Sequence, residues 1–490
     1  MRPKIEYPPP MTNPAFPIST NGKAFVDANN NRFMVQGVGL TSNFQVNGTL
    51  DLLADANLTY MTNIVLPLLQ SLNVNMIRVY QVDYTLGHEL VMSRLATNGI
   101  GVMVELVTPA VCINRIAPVY SPALYQQGAS VVAAFQQFDN TVAFSVGNEV
   151  VFPGVIYNNF LTAWQNANPG KTPDPQQLLQ IVQLAVNCEL ACAAVEKSFI
   201  RDMKAYMSAN SYRAIPVGMA MQDGPQASLV NPGLIGTDVV AEFYACGDPA
   251  SAADYIGINT YRYINTSVPG PMNSYDGLAN EVLTIPIPVF LTESTAVNPP
   301  YPRDWAIVDQ MYSEALLYDN LSGQVAFEFF ENTTTNDNFG LYNQPTNPTA
   351  TPTPTTLGGA SSLATQFAGY TQLEVPTPAT SPSACPTACA PALLPNPAPN
   401  ITVTVMNYAT VALAVVQNGT VMANLAAAAS PTSPSSTPVQ VCDQLELYIL
   451  EPEPTGSWPT VCTVAVSGFA DGDTILNNVP WGGACNVTSS

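Results

Sequence analysis

The sequence predicts a TIM-type (β/α)8 barrel followed by a Pro/Thr-rich connector and a small disulfide-stapled all-β module. Three observations predict it. Eight short apolar runs alternate with helical stretches between residues 33 and 331. The runs are continuously apolar rather than alternating, as parallel strands covered on both faces should be. At 490 residues the chain is too long for one ordinary domain but suits a barrel of ~250 to 350 residues plus an appendage.

Taken in order, residues 1–20 form a Pro-rich N-terminal arm, and the barrel is expected over 21–345. Its runs are FMVQGVGL (33–40), NMIRVYQV (75–82), GVMVELV (101–107) and TVAFSVGNE (141–149). They continue as AIPVGMA (214–220), DYIGINTY (254–261), PVFLTES (288–294) and QVAFEFFE (324–331). Between them lie helical stretches such as 184–207. Residues 346–383 are rich in Pro and Thr, the composition of an extended and O-glycosylated connector. β patterning resumes over 384–490, where Asn418-Gly419 is a two-residue hairpin signal.

Composition narrows the function. Only 10% of residues are charged, against a usual ~25%. The net charge of −21 reflects a shortage of Lys and Arg rather than acidic runs. There is no basic stripe, so nucleic acid is not an expected partner. A neutral polymer such as a glucan suits this balance better than an anionic one.

The chain has 9 cysteines, five of them after position 384, which suggests an oxidising compartment. Cys385, Cys389, Cys442, Cys462 and Cys485 are expected to form two bridges within the module. The fifth would be free, bonded to the barrel or bonded to a neighbouring chain. Glycosylation sequons stand at Asn47, Asn57, Asn265, Asn320, Asn332, Asn400, Asn418 and Asn486. An extracellular, cell-surface or cell-wall location is expected. The N-terminus shows no apolar signal region, so the export signal would lie outside this chain, and a lipid-anchor signal past Ser490 could have been removed.

Barrel active sites lie at the C-terminal ends of the strands. There this sequence places Arg78, Tyr80, Asp83, Asn148, Glu149, Tyr261, Glu293, Glu328 and Glu331. Glu149 ends the fourth run and Glu293 the seventh, so the two face each other across the mouth. Retaining cleavage of a glycosidic bond needs two carboxylates about 5 Å apart, one as acid/base and one as nucleophile. Buried walls and a like-charged neighbour would raise the pKa of one of them. Asn148 is placed to hold a sugar 2-hydroxyl. Tyr80, Tyr84, Tyr120, Tyr261, Tyr263 and Phe329 are candidates to stack on sugar rings or to pack the rim. His88, the single histidine, reads as a packing residue. Cys188 and Cys192 read as core cysteines, and no metal or cofactor is expected.

Residues 33–342 resemble the family 72 glucanosyltransferases of glycoside hydrolases, fungal wall enzymes that cut and rejoin β-1,3-glucan. The matching stretches are Asn75-Met-Ile-Arg-Val-Tyr80 with Asp83 and His88, Thr108-Pro with Ile113-Asn-Arg115, and Gly147-Asn-Glu-Val150. They continue with Arg201-Asp-Met-Lys-Ala-Tyr206, Ile215-Pro-Val-Gly218, Cys246-Gly-Asp248 and Asp254-Tyr-Ile-Gly-Ile-Asn-Thr-Tyr261. Last come Glu293 and Glu328 with Asn338-Phe-Gly-Leu341. The resemblance implies Glu149 as acid/base and Glu293 as nucleophile, with Tyr80, Asn148 and Tyr261 around the sugar at the cleavage point; Arg78, Asp83 and Glu328 complete the expected substrate-binding set. The chain departs from the family after the nucleophile, where Ser294-Thr295-Ala296 follows. It also lacks the family cysteine near His88 and that cysteine's partner in 51–60.

The expected activity is retaining β-1,3-glucan transglycosylation, with β-glucan as partner. The alternative is a glycosylated structural subunit of a wall or filament whose barrel has idled. In that case the arm and the C-terminal region would mediate self-association or wall attachment.

Overall fold

The computed structural model describes residues 14–41, 44–224, 236–262, 275–294, 305–332, 339–344, 352–353, 359–368, 375, 385 and 393–397. Of the C-terminal region it describes eight strands between 401 and 488. Two compact units result: one comprises 1–119 and 127–395, the other 120–126 and 396–490.

The first unit is a closed parallel barrel. Its strands are β4 (Val35–Leu40), β5 (Met76–Val79), β6 (Gly101–Glu105), β7 (Thr141–Asn148), β8 (Val217–Gln222), β9 (Tyr255–Thr260), β10 (Val289–Ser294) and β11 (Gly323–Ala326). Each falls in or against one of the eight apolar runs. Nearly every residue in them is buried, because side chains pointing inward fill the barrel and those pointing outward meet the helices. β11 closes the ring against β4, pairing Gly323 with Val35. Gly323 has φ +102°, and a Cβ there would sit 2.2 Å from the Val35 carbonyl oxygen, so only glycine permits this closure.

A small antiparallel sheet precedes the barrel: β1 (Ser19–Asn21), β2 (Ala24–Val26) and β3 (Arg32–Phe33). It brings Phe25 onto the Tyr255 and Phe290 rings, with centroids 6.0 and 5.5 Å away. These join Ile18, Phe33, Met76, Met103 and Val325 in one buried core. Strand pairing and this core thus draw part of the nominal N-terminal arm into the body.

Helix Pro175–Ala209 is longer than its apolar pattern foretold, starting nine residues before 184. Asp174 caps it by accepting from the Gln176 and Gln177 amides, Gln177 returns the bond, and Pro175 holds the first turn. Its C-terminal half is buried against the barrel. Within that half, Lys197 donates to the Phe243 and Cys246 carbonyls and so caps helix Thr237–Ala245.

The Pro/Thr-rich region is not uniformly an extended tether. Ala360–Ala368 is a helix with Leu363 and Phe367 buried. Gln36 Nε2 donates to the Phe367 carbonyl at 2.8 Å. Farther on, Cys385 is disulfide-bonded to Cys246, and Leu394 bonds through its backbone to Ser198 and Arg201. Cys385 therefore binds the barrel, while the side chains of Cys389, Cys442, Cys462 and Cys485 lie outside the described residues.

The second unit contains two four-stranded sheets: one runs Ser435–Val441, Ile401–Asn407, Thr474–Asn477, Asn486–Thr488 in spatial order, the other Thr420–Leu425, Leu413–Gln417, Leu445–Ile449, Thr460–Val464. The Asn418-Gly419 signal falls between paired strands β13 (Leu413–Gln417) and β14 (Thr420–Leu425).

Candidate active site

Arg78 organises the mouth of the barrel. It leaves β5 with no solvent exposure and is charge-compensated by Glu105 at the end of β6, whose Oε1 accepts from Nε at 3.1 Å and Nη2 at 2.6 Å. A buried guanidinium is sustainable only when its donors are so occupied. Its remaining donors reach across the barrel to Asn148 Oδ1 (2.7 Å), Asn259 Oδ1 (3.2 Å), the Thr292 carbonyl (3.0 Å) and Glu293 Oε1 (3.2 Å). One side chain thereby ties together five strands.

Asn259 is the second hub. Its Nδ2 donates to Asn148 Oδ1 at 2.9 Å and to Glu149 Oε1 at 3.1 Å, while Thr292 Oγ1 donates to its Oδ1 at 2.9 Å. The two glutamates brought forward by the sequence thus belong to one lattice, linked through Asn259 and Arg78. Glu149 is half-buried and Glu293 is almost fully buried. Glu149 has φ 51°, a left-handed conformation that costs a non-glycine residue about 1–3 kcal/mol. The bond from its N–H to the Ala220 carbonyl (2.7 Å) holds it there.

Burial pushes the Glu293 carboxyl up to about 7 against the pull of Arg78, and the neighbouring Glu149 adds to the rise. Tyr80 and Tyr261 favour its ionised form, Tyr261 by donating to Oε2 at 3.0 Å. Tyr80 lies under the Arg78 guanidinium, 4.4 Å from ring centroid to charge. Phe327 and Phe339 complete an aromatic wall, with centroid distances of 6.2 Å from Tyr80 to Phe327, 5.7 Å from Phe327 to Phe339 and 5.8 Å from Phe339 to Tyr261.

Other expected residues are distributed differently. Glu328 is buried and accepts from the Thr41 hydroxyl, beside the barrel seam. Asp83 is exposed, its carboxylate turned to Thr85, and lines a cleft with Gln45, Leu50, Gln81 and Tyr84. A second hollow, sharing Leu50 and Gln81, continues from there to Tyr80. Phe329 and Tyr120 are buried, which removes them as sugar-stacking candidates, and Tyr263 lies outside the described residues. His88 is buried against Phe135 and hydrogen-bonded to Asp51 at 2.8 Å, a packing residue as expected. Cys188 and Cys192 are buried thiols that both donate to the Arg115 carbonyl. Among the described residues no group of three His, Cys, Asp or Glu side chains could hold a metal ion.

Of the sequons, Asn47 is exposed. Asn57 and Asn320 are buried, with their amides bonded to the Asp51 and Leu316 carbonyls, so the folded chain presents neither to a glycan. Asn332 is half-buried, and the side chains of Asn265, Asn400, Asn418 and Asn486 lie outside the described residues.

Sequence reasoning passed over Glu105 and Asn259. Glu105 ends β6 and Asn259 is the last residue but one of β9, two residues before Tyr261, a spacing that puts the Asn259 and Tyr261 side chains on one face of the extended chain.

A closed parallel barrel with two glutamates joined at the C-terminal ends of its strands defines the glycoside hydrolase class. Comparison with known proteins narrows this further. The family model for glycoside hydrolase family 72, glucanosyltransferase, matches residues 10–164 and 183–352, and the chain belongs to that family. It is 31% identical over 282 residues to 1,3-beta-glucanosyltransferase gas5 of Schizosaccharomyces pombe, covering 56% of this chain and 46% of that protein. It is 27% identical over 330 residues to 1,3-beta-glucanosyltransferase GAS2 of Saccharomyces cerevisiae, covering 65% and 50%. The chain thus spans about half the length of the curated relatives it matches. The solved structure of Saccharomyces cerevisiae Gas2p in complex with laminaritriose and laminaritetraose superposes with a TM-score of 0.57 at 25% identity, covering 77% of this chain and 75% of that one.

Proposed function

We propose that this chain is a retaining β-1,3-glucan transglycosylase. The observation that carries the reading is the lattice in which Arg78 and Asn259 hold Glu149 and Glu293 together at the barrel mouth. Donors are unequally shared between the two. Glu293 receives Arg78 and Tyr261, which favour a carboxylate, whereas Glu149 receives one neutral amide. Burial raises Glu293 on balance, so the roles rest on the family pattern, with Glu293 as nucleophile and Glu149 as acid/base; Arg78 and Tyr261 support the Glu293 anion once it forms.

In the first step Glu293 attacks the anomeric carbon, and Glu149 protonates the departing glycosidic oxygen. A covalent glycosyl-enzyme remains. In the second, Glu149 takes the proton from an incoming sugar hydroxyl, whose oxygen displaces Glu293 and regenerates both carboxyls. Asn148, fixed by Arg78 and Asn259, is set to meet the 2-hydroxyl. Tyr80, Tyr261, Phe327 and Phe339 supply apolar faces for the sugar rings. The cleft from Tyr80 past Gln81 to Asp83 and Tyr84 offers room for further sugars. The Gas2p complexes with laminari-oligosaccharides support a β-1,3-glucan occupant.

The Cys246–Cys385 bridge and exposed Asn47 fit an oxidising, extracellular setting. A purely structural subunit would have no physical need for a strained Glu149 beside a buried Glu293.

Incubation with reduced laminari-oligosaccharides tests the proposal. Products longer than the starting material are expected. Shorter products alone would reduce the activity to hydrolysis, and no change across pH 4 to 7 would refute the reading.

A further inference from the structure

Beneath the turn that carries Glu149 lies a carboxyl that the reaction does not use. Glu196 projects from helix Pro175–Ala209 and is 1% exposed. Its Oε2 accepts from the Tyr244 hydroxyl, on helix Thr237–Ala245. Its Oε1 has no hydrogen-bond partner, an expensive arrangement for a buried oxygen. That atom abuts Gly147: a Cβ built on Gly147 would lie 2.8 Å from it and 2.7 Å from Val150 Cγ2. Strand register between β7 and β8 slips between Ser145 and Asn148, at this contact. Two residues on, Glu149 adopts its left-handed conformation.

We propose that Glu196 is a positioning residue for Glu149: its carboxyl props the Gly147-Asn148-Glu149 turn from below and so aims the acid/base into the mouth. The inference rests on the transglycosylase reading. A β7 strand running straight through Gly147 would continue the ladder and carry Glu149 elsewhere. The slipped register needs something behind it, and the carboxyl held by Tyr244 is what stands there.

The groups facing Glu196 are Tyr244 from its helix, Glu105 from the end of β6, Arg115 from the following loop and Cys192 from one turn earlier on its own helix. Burial foremost pushes its carboxyl up to about 8, with Tyr244 and Arg115 opposing and Glu105 reinforcing.

Because Glu196 acts through the acid/base, its loss should follow leaving-group chemistry. Glu196→Ala is expected to lower kcat on β-1,3-glucan by about tenfold to a hundredfold with KM little changed. The initial burst of fluoride release from a laminari-oligosaccharyl fluoride, which reports the first step alone and needs no proton, should stay within about twofold of wild type. Glu196→Gln, which keeps the shape and the Tyr244 bond, should restore glucan turnover. Gly147→Ala approaches the contact from the other side and should reproduce the glucan defect, less severely in the Glu196→Ala background, where the carboxyl no longer collides.

A loss in the fluoride burst equal to that on glucan, or full glucan activity in Glu196→Ala, would overturn the proposal. So would failure of Glu196→Gln to restore turnover while its circular dichroism matches wild type. Wild-type protein inert on both substrates would instead refute the transglycosylase reading itself.

Discussion

Glu149 and Glu293 differ in environment more than in chemistry. Glu293 lies deep and collects charged and hydroxyl donors, whereas Glu149 stands half-open on a strained turn. Glu293→Gln should abolish both cleavage and transfer, since an amide forms no glycosyl-enzyme. Glu149→Ala should be nearly inert on glucan yet still be glycosylated by the fluoride substrate, a species that mass spectrometry would detect. Glycosylation of Glu293→Gln under the same conditions would reverse the two roles.

Burial also sets a pH dependence. In the proposed roles Glu293 must be ionised to attack, and it is pushed up to about 7, so the initial burst of fluoride release should rise with pH through that value. Tyr261→Phe removes a donor to the anion, and the midpoint should move upward. A midpoint that is unchanged or lower in Tyr261→Phe would mean that the hydroxyl does not stabilise the carboxylate.

At the scale of elements, the barrel owes its site to what braces it. β4 is flanked by the β11 seam and by helix Ala360–Ala368, which the Gln36 amide fastens to its strand. Phe367 is 2% exposed and packs on Tyr312, whose hydroxyl donates to the Val35 carbonyl at 2.6 Å. Phe367→Ala should cost about 3 kcal/mol or more, read as a lower urea midpoint with unchanged slope. A change below ~0.5 kcal/mol would show that the helix does not brace the barrel.

This helix was not legible in the sequence. Nine residues, ASSLATQFA, sit between Pro/Thr-rich stretches, and their two large apolar side chains become meaningful only when the barrel supplies the opposing face. The eight strands were legible, because each is buried on both sides and so writes its own apolar run. The start of helix Pro175–Ala209 was missed for the converse reason. Its first turns carry exposed Leu178, Leu179 and Leu184 and have no clean amphipathic period.

For the whole molecule, two buried glutamates make stability depend on pH. Glu196 is raised from 4.5 to about 8, and Glu293 from 4.5 to about 7. In that window the folded state keeps protons the unfolded chain has released, so stability falls as pH rises. The contribution is fully present below about 4.5 and lost as pH passes 7 and then 8. Unfolding free energies in urea should therefore decline between pH 5 and pH 8, by several kcal/mol at most. Glu196→Gln should flatten that decline, and a slope identical to wild type would show that Glu196 ionises freely in the fold.

The sequence by itself determined the barrel, the eight strands, the two glutamates at opposite strand ends and the presence of disulfide bonding. These are local properties: an apolar run, a residue at its end, a cysteine count. Only the tertiary structure decided which glutamate is buried, that Arg78 and Asn259 join the pair, that Cys385 binds Cys246, and that Glu196 stands under Gly147. Arg78 meets Glu105 across 27 residues of chain and Glu293 across 215. A carboxyl's charge is set by what surrounds it in space, and nothing in the few residues beside it in the chain encodes that.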